Sequence, residues 1–500
     1  MPHLTRRSFL AGAAAIPFSV WLERYAGAQP AQPRVRFDAT STQGQAMLRI
    51  YAQAVNKMQT ATQERDPRSW VFQWYTHAVK SSTTKTAELA RIYPTSSPQR
   101  SLAVEMWNTC QSHGGQDENF FLPWHRMYVF FFESIIRSVS GNATFTLPYW
   151  NYSTPVTALH GVMPAQFRQA TDPTFKSLFV SKRNSGVNTG QAIDRGQPPQ
   201  VLGLSSLAEC SYSPQGVRQG FCMNLDRNLH GNVHGLIGNG LNMGAVPWAA
   251  GDPIFWMHHS NIDRLWASWN AGGRKNLATA SFLAKTFVFA DANGQRVVAK
   301  ISDFLDVARL GYRYDRLEPV PACPPTPGLG AAPPPPPASR ARVRAPVPLA
   351  ATAVRVTLEL PPALGAAPQV PLADRVRALP PARRLFLVIK GLRAQVQPEV
   401  LYHVYLELPP GTAPEGELRH YVGTVNFFDA VGLTGHEDHG PAAAPGTVPD
   451  KFFSFDVTAL AKELLAKGQL TARPALTIVP AGQPVAEAKP VMGDISLVEQ

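Results

Sequence analysis

The side chains best suited to metal chemistry are histidines in a short stretch of the chain. His230 and His234 are four residues apart, and His258 and His259 follow within DPIFWMHHSNIDRLW. On a helix, a spacing of four places two side chains on one face, one turn apart. Convergent imidazoles from two helices can hold a metal ion, and imidazole suits copper, zinc, iron and nickel alike. An isolated pair at this spacing also occurs as mere decoration of a helix, so the pair alone leaves the function open.

A second histidine set lies upstream and narrows the choice. His77 stands in the helical segment RSWVFQWYTHAVK, and His113 and His125 flank GGQDENFFLPW. Each set can supply three neutral nitrogen ligands to one metal. Two adjacent metals whose open positions face each other can bind a diatomic molecule between them. The sequence therefore predicts a two-metal site carried by helices.

Several segments resemble the copper-binding signatures of the tyrosinase, catechol oxidase and haemocyanin superfamily. They are FFLPWHRMYVFFFE, LPYWNY, HGNVH and DPIFWMHHSNIDRLW, and the resemblance spans about residues 70–315. It implies a four-helix bundle that holds two copper ions in a dinuclear type-3 site. Carried over by motif position, the ligands of the first copper are His77, His113 and His125, and those of the second are His230, His234 and His259.

The resemblance also separates the two adjacent histidines. The ligand of the family lies seven residues after the aspartate of its DP motif, which is Asp252 here, so His259 is the expected ligand. His258 is then expected beside the site, without a bond to the metal.

Two carboxylates are expected to support the ligands from behind. Glu133 lies eight residues after His125, and Asp263 lies four residues after His259. Each is predicted to accept a hydrogen bond from the far nitrogen of a ligand histidine. For Glu133, a salt bridge to Arg126 or Arg137 is the alternative.

A third carboxylate, Asp226, lies four residues before His230. It is the candidate catalytic residue, because a carboxylate there can help to take a phenolic proton. An acidic residue favoured by the dipole at a helix N-terminus is the alternative.

The chain has four cysteines. In an exported protein, Cys210 and Cys222 are candidates for a disulfide that pins the loop before the second histidine pair. Many relatives have a cysteine joined by a thioether to a copper ligand, which makes Cys110 and His113 candidates for such a crosslink. A buried thiol is the alternative for Cys110, and Cys323 has no assignment.

The N-terminus reads as an export signal. Residues 1–28 contain TRRSFL, a short apolar run and the small-x-small pattern Ala26-Gly27-Ala28, which resemble a twin-arginine signal peptide. The run is too short for a stable membrane span, and no later stretch reaches about 18 apolar residues. We therefore expect export by the twin-arginine route to the periplasm or the medium.

Composition is that of an enzyme with ordinary cores. The 500-residue chain is 44% hydrophobic, and its net charge of +12 is spread along the chain without any nucleic-acid motif. The length suits two or three domains.

The second half of the chain differs in pattern from the first. We expect a mainly α-helical dicopper domain at residues 29–318 and a Pro-rich linker at 319–349, whose Arg-rich end is a protease site. Residues 350–500 contain apolar runs of strand length separated by Pro, Gly and Asp, which predicts an antiparallel β-sandwich. FSFDV and GDISLVE in this part resemble the C-terminal domain that shields the copper site of plant polyphenol oxidases.

These features imply a polyphenol oxidase that converts o-diphenols, and monophenols as a further substrate class, to o-quinones while reducing O2 to water. The resemblance implies phenolic or catecholic small molecules and O2 as partners, leaves room for a copper-delivery helper, and implies latency until the C-terminal domain is removed. Oxidation of o-aminophenols at the same site and oxygen carriage like that of haemocyanin are the alternatives. Gly231, where efficient monophenol hydroxylases often have Asn, weakens the case for hydroxylation.

Overall fold

The computed structural model describes residues 32–111, 119–323, 336–360, 370–414, 416–431 and 452–500, and the backbone of Ile16–Pro17. A domain of helices comes first in the chain, and a domain built on two β-sheets follows it. Each has its own hydrophobic core.

The helices of the first domain vary from one turn to five. They are α1 (Thr42–Thr60), α2 (Trp70–His77), α3 (Lys85–Ile92), α4 (Pro98–Met106), α5 (Phe121–Ser140), α6 (Gly220–Leu225), α7 (Gly231–Ile237), α8 (Val246–Ala249), α9 (Ile254–Ala271) and α10 (Ala280–Ala284). A π-helical turn, Asp226–His230, joins α6 to α7.

Helices α5 and α9 form the centre of this domain. Nearly every residue of both is buried, including the polar side chains that they carry among their apolar residues. Helix α5 ends at Gly141, whose φ of 72° is the left-handed conformation that glycine adopts without strain. Helices α2 and α7 end beside them and carry further histidines.

Short strands complete the first domain. They are β1 (Ile16–Pro17), β2 (Arg34–Arg36), β3 (Thr286–Ala290), β4 (Arg296–Lys300) and β5 (Tyr312–Tyr314). Strand β2 pairs in parallel with β5, which sets Arg36 beside the tyrosines of β5. Strand β1, from the segment expected to be a signal peptide, pairs with β4.

The second domain confirms the predicted antiparallel β-sandwich. Its strands are β6 (Ala338–Arg342), β7 (Val347–Pro348), β8 (Val354–Thr357), β9 (Leu385–Lys390), β10 (Tyr402–Leu406), β11 (Tyr421–Val425), β12 (Phe452–Asp456), β13 (Ala475–Pro480), β14 (Val491–Met492) and β15 (Asp494–Glu499). They form two four-stranded sheets, with orders β11-β10-β13-β8 and β12-β9-β15-β6. Side chains from both sheets make the core, together with helices α11 (Leu372–Arg377) and α12 (Thr458–Ala466).

The sandwich begins before residue 350, inside the segment predicted to be linker. Strand β6 pairs with β15, and β7 pairs with β14. Strand β6 holds Arg340 and Arg342 of the Arg-rich stretch in a sheet, whereas Arg344 lies beyond the strand and is exposed. The Pro-rich composition of residues 319–349 hid two short strands that pair with distant parts of the chain.

The disulfide predicted between Cys210 and Cys222 is wrong. Cys210 bonds to Cys323, and their Cα atoms are 5.8 Å apart, within the normal range for a disulfide. Cys222 lies on α6 and is completely buried in the helical core, so its side chain is not available to the loop that carries Cys210.

In the part of the chain that the structure describes, no helix combines the length and the apolar character needed to cross a membrane.

Candidate metal centre

Four histidines from the second half of the helical domain converge in its core. His230 closes the π-helical turn, His234 lies one turn later on α7, and His258 and His259 lie on α9. Their candidate ligand atoms all lie within 4.8 Å of one another. We call this set the second histidine group.

The first histidine group contains His77 at the end of α2 and His125 on α5, together with Cys110. Its candidate ligand atoms also lie within 4.8 Å of one another. His113, the remaining predicted ligand of the first copper, lies outside the described residues, and so does the test of its thioether to Cys110. The sulfur of Cys110 is 3.5 Å from Nε2 of His125.

The two groups adjoin each other. The rings of His125 and His259 stack, with centroids 4.4 Å apart and an angle of 11° between their planes. The centroids of His125 and His230 are 6.2 Å apart. Five of the six predicted ligand histidines are therefore brought to one place, and the sixth, His113, stays a prediction.

Backbone carbonyl oxygens orient four of these imidazoles by contacts with Nδ1. The distances are 3.2 Å to Val246 for His77, 2.8 Å to Phe121 for His125, 3.2 Å to Asp226 for His230 and 2.7 Å to Met243 for His234. Because a carbonyl oxygen only accepts hydrogen bonds, Nδ1 carries the proton in each ring. The lone pair of Nε2 is then left for a metal.

The remaining nitrogens of the second group are buried without a hydrogen-bond partner among the described residues. They are Nε2 of His230, His234 and His258, and both nitrogens of His259. Buried polar atoms are normally paired, so several unpaired nitrogens around one point mark a binding site for a ligand. The donor set thus fits a metal with nitrogen ligands.

The protonation state also fits. Burial, with a further contribution from neighbouring imidazoles, holds the pKa of His125, His234, His258 and His259 well below its ordinary value. These rings are neutral at neutral pH, which is the form that binds a metal.

The structure places His258 and His259 in the same group but in different surroundings. Nδ1 of His258 is 3.1 Å from the hydroxyl of Tyr152, which can donate or accept, whereas His259 has both nitrogens unpaired and touches both groups. The preference for His259 as the ligand remains a prediction.

Aromatic rings pack against the histidines of both groups. The ring of Phe121 lies 4.7 Å from that of His125 and 4.6 Å from that of His230, and the ring of Phe255 lies 4.1 Å from that of His259. The sequence did not single out Phe121. It stands in the FFLPW segment that carries His125, so its position in the motif was the available signal.

The prediction that Glu133 and Asp263 support ligand histidines is wrong. Glu133 accepts from Arg36 at 2.8 Å, from Arg137 at 2.7 Å and from the backbone N–H of Leu147 at 2.8 Å. Of the two alternatives read from the sequence, the pair with Arg137 forms and the pair with Arg126 does not.

Asp263 has an equally complete set of partners. It accepts from Arg126 at 2.5 Å and Arg36 at 3.1 Å, and from the hydroxyls of Tyr312 at 2.7 Å and Tyr314 at 2.6 Å. We call these buried residues the ionic cluster: Arg36, Arg126, Glu133, Arg137, Asp263, Tyr312 and Tyr314.

Asp226 is the carboxylate that does contact a ligand histidine. Its Oδ1 lies 3.1 Å from Nδ1 of His230. Nδ1 and Nε2 are at opposite edges of the ring, so Asp226 stands behind His230 as seen from the metal position. That placement fits an orienting role and does not support its prediction as the acceptor of a substrate proton.

The direction of helical side chains explains this outcome. Side chains lean toward the N-terminus of their helix, over the residue one turn earlier. His230 therefore reaches back to Asp226, whereas His259 leans away from Asp263. Glu133 lies about 12 Å along the helix from His125, at 1.5 Å per residue, which is too far for a hydrogen bond.

The C-terminal domain closes the centre from one side. The ring of Phe428 stacks on that of His234, with centroids 4.0 Å apart and planes inclined by 16°, and lies 5.6 Å from that of His230. Phe428 and Leu401, both from the C-terminal domain, are buried as members of the helical core. Gly231 allows this close approach, because a Cβ there would lie 2.5 Å from Oδ1 of Asn426.

Family models match three parts of the chain. Residues 67–197 and 205–272, which carry both histidine groups, match the common central domain of tyrosinase. This part of the helical domain is therefore similar to the central domain of the tyrosinase family. Residues 276–324 match the polyphenol oxidase middle domain, and residues 341–500 match a domain of unknown function.

Relatives of the tyrosinase domain occur in a bacterium and in plants. Tyrosinase HcTyr1 of Hahella sp. (strain CCB-MM4) is 34% identical over 307 residues, which are 56% of this chain and 62% of that protein. Catechol oxidase B of Solanum tuberosum is 32% identical over 227 residues, 39% of this chain and 37% of that protein. The chain thus spans less than two thirds of the length of either relative.

The fold of both domains recurs in a plant structure. Latent apple tyrosinase superposes with a TM-score of 0.56 at 21% identity, over 94% of this chain and 98% of that one. The tyrosinase family uses a pair of copper ions as its cofactor, and the two histidine groups are the side chains that fit them.

Proposed function

We propose that this chain is a copper-dependent oxidase that converts o-diphenols to o-quinones while reducing O2 to water. The observation that carries the proposal is the pair of adjoining histidine groups in a domain that matches the tyrosinase central domain. The second group has buried ring nitrogens without a partner among the described residues. Two o-diphenols deliver four electrons and four protons to one O2, which yields two o-quinones and two molecules of water. Its relation to catechol oxidase B and to HcTyr1 supports the same class of substrate.

Each part of the centre has a role in this reaction. The histidines of the two groups would hold the copper ions, which would supply the electron exchange between O2 and the phenol. The rings of Phe121 and Phe255 give a flat, apolar place for an aromatic substrate and keep water out. Burial keeps these imidazoles neutral, and backbone carbonyls fix which nitrogen faces the metals.

The intact chain is latent in this proposal, and Phe428 is the residue that covers the centre. Its ring occupies the face of His234 that a substrate ring would approach. Burial of this aromatic side chain in the helical core favours the covered state.

Oxygen uptake with catechol tests both parts of the proposal. We would compare the copper-loaded mature protein with the same protein cut at a specific protease site introduced between residues 324 and 335. Uptake that appears or rises sharply after the cut is expected. Strong uptake from the intact chain would retain the oxidase and remove latency. No uptake from either form, with two coppers bound, would favour an oxygen carrier or another substrate class.

Export by the twin-arginine route is part of the proposal and rests on TRRSFL near the N-terminus. Residues 1–28 would be removed on export. Replacing Arg6 and Arg7 by lysine is expected to keep the protein in the cytoplasm of a bacterial host at its unprocessed length. Export of the variant at the normal level would contradict the assignment.

A further inference from the structure

The carboxylate of Asp226 distinguishes His230 from the other oriented histidines. His125 and His234 donate from Nδ1 to backbone carbonyls, whereas Nδ1 of His230 faces both the carbonyl oxygen of Asp226, at 3.2 Å, and its carboxylate, at 3.1 Å. A carboxylate behind a histidine fixes the orientation of the ring and raises its basicity as a ligand.

The next residue links this contact to the C-terminal domain. Arg227 is buried, and its guanidinium lies 4.0 Å from Oδ2 of Asp226. The same guanidinium binds both carboxylate oxygens of Asp429 in the C-terminal domain. Asp429 follows Phe428, so adjacent residues of one loop reach the histidine ring and the ion pair behind it.

Arg227 stays positively charged although it is buried, because the guanidinium group is not deprotonated in proteins. A buried cation needs a carboxylate, and its two ion-pair partners among the described residues are Asp429 and Asp226. If Asp429 is removed, Arg227 competes with His230 for Asp226. Contact between Asp429 of the C-terminal domain and Arg227 therefore affects how strongly Asp226 interacts with His230.

We propose that Asp226 is a positioning residue that orients His230 for the second copper, and that Asp429 secures this role by neutralising Arg227. This inference rests on the proposed copper site but is separate from the cover that Phe428 provides. The C-terminal domain then does two things: it blocks the centre, and it helps the centre to retain its metal.

Copper retention tests the proposal without any substrate. The fully loaded, intact protein and its variants are incubated with a copper chelator, and the copper left per chain is measured over time. Asp226→Asn removes the charge and keeps an acceptor, whereas Asp226→Ala removes both. Asp429→Asn removes the partner of Arg227. Glu399→Gln is the matched control, because Glu399 accepts from the backbone of Gly240 across the same interface, away from Arg227.

We expect Asp226→Ala to lose one of its two coppers about 10–100-fold faster than the unmodified protein, while the other copper stays. Asp226→Asn should lie between the two. Asp429→Asn should accelerate the same loss to a smaller extent, and it should add nothing in the Asp226→Ala background, because both changes act through one contact. Glu399→Gln should behave like the unmodified protein.

The outcomes separate this inference from the function on which it rests. Equal retention by all variants would overturn the role of Asp226, and so would loss of both coppers together. An additive effect of Asp429→Asn on Asp226→Ala would overturn the link through Arg227. Failure of the unmodified protein to bind copper would overturn the proposed function and this inference with it.

Discussion

Two sets of buried polar side chains share helices α5 and α9, and they differ in how their atoms are paired. The second histidine group leaves ring nitrogens without partners among the described residues. In the ionic cluster, by contrast, all four carboxylate oxygens of Glu133 and Asp263 accept hydrogen bonds. The unpaired buried atoms of that cluster, Nη2 of Arg36 and Arg126, are guanidinium donors with no lone pair for a metal.

This difference shows which buried polar residues await a ligand and which stabilise the fold. The pKa of each set points the same way. Burial keeps the histidines neutral and ready for a metal. For Glu133 and Asp263, burial alone would raise the pKa, but the neighbouring arginines lower it and keep both groups charged. Function and stability should therefore respond separately to mutations one turn apart.

The largest expected effect is on the histidine side. His259→Ala should remove the second copper and abolish oxygen uptake. This effect should exceed the loss of metal affinity or activity, about 10–100-fold, that follows when a hydrogen-bond partner of a metal ligand is changed. His258→Ala should keep both coppers. Copper content and oxygen uptake are measured for both variants, and equal loss of copper in the two would contradict the assignment of His259 as the ligand and His258 as its neighbour.

Breaking the ionic cluster should instead destabilise the fold. Asp263→Ala leaves the buried guanidiniums of Arg36 and Arg126 without this carboxylate, which costs about 3–5 kcal/mol. The melting temperature should fall, while the folded fraction should retain its copper. Asp374→Ala, which breaks an exposed pair with Arg377, is the control and should change little. Loss of copper at an unchanged melting temperature would place Asp263 in the metal centre after all.

Substitution of Phe428, which covers the second histidine group, should have a smaller effect than either of these changes. Phe428→Ala removes an aromatic contact worth about 1 kcal/mol and a buried apolar surface worth about 2 kcal/mol. Oxygen uptake by the intact chain should rise by about 10–100-fold, and Phe428→Leu should give a partial rise. If both variants stay as inactive as the unmodified chain, another residue covers the centre.

The smallest expected effect is on the dependence of stability on pH. The pKa of Glu133 and of Asp263 is lower in the folded chain than in the unfolded chain. In acid, the unfolded chain therefore binds more protons than the folded chain. Their contribution is complete above the unfolded pKa values, near 4, and is lost as the pH falls below them. Melting temperatures between pH 3 and 6 should decline in acid, and Asp263→Asn should decline less steeply. An identical slope would show that Asp263 does not titrate as expected.

The sequence predicted what local spacing controls. HGNVH and DPIFWMHH placed their histidines on helices, and alternating runs such as ALTIVP became strands at the expected residues. The sequence did not predict contacts between segments that are far apart in the chain. Cys210 and Cys323 are 113 residues apart, and Phe428 meets His234 across a domain interface, so no local pattern marks either.

The predictions about the carboxylates were wrong for another reason. Spacing along a helix gives the face of a residue but not the direction in which its side chain leans. Glu133 and Asp263 follow their histidines and miss them, whereas Asp226 precedes His230 and reaches it.

The disulfide between Cys210 and Cys323 has a consequence for how activation would proceed. Any cut between residues 324 and 335 falls after Cys323, so the disulfide stays with the helical domain and only noncovalent contacts retain the sandwich. Before the cut, the linker holds the cover at an effective concentration of the order of millimolar. After the cut, that concentration becomes the concentration of the protein itself. Under the proposed latency, the rise in oxygen uptake after the cut should therefore be greatest when the protein is diluted below the dissociation constant of the two domains.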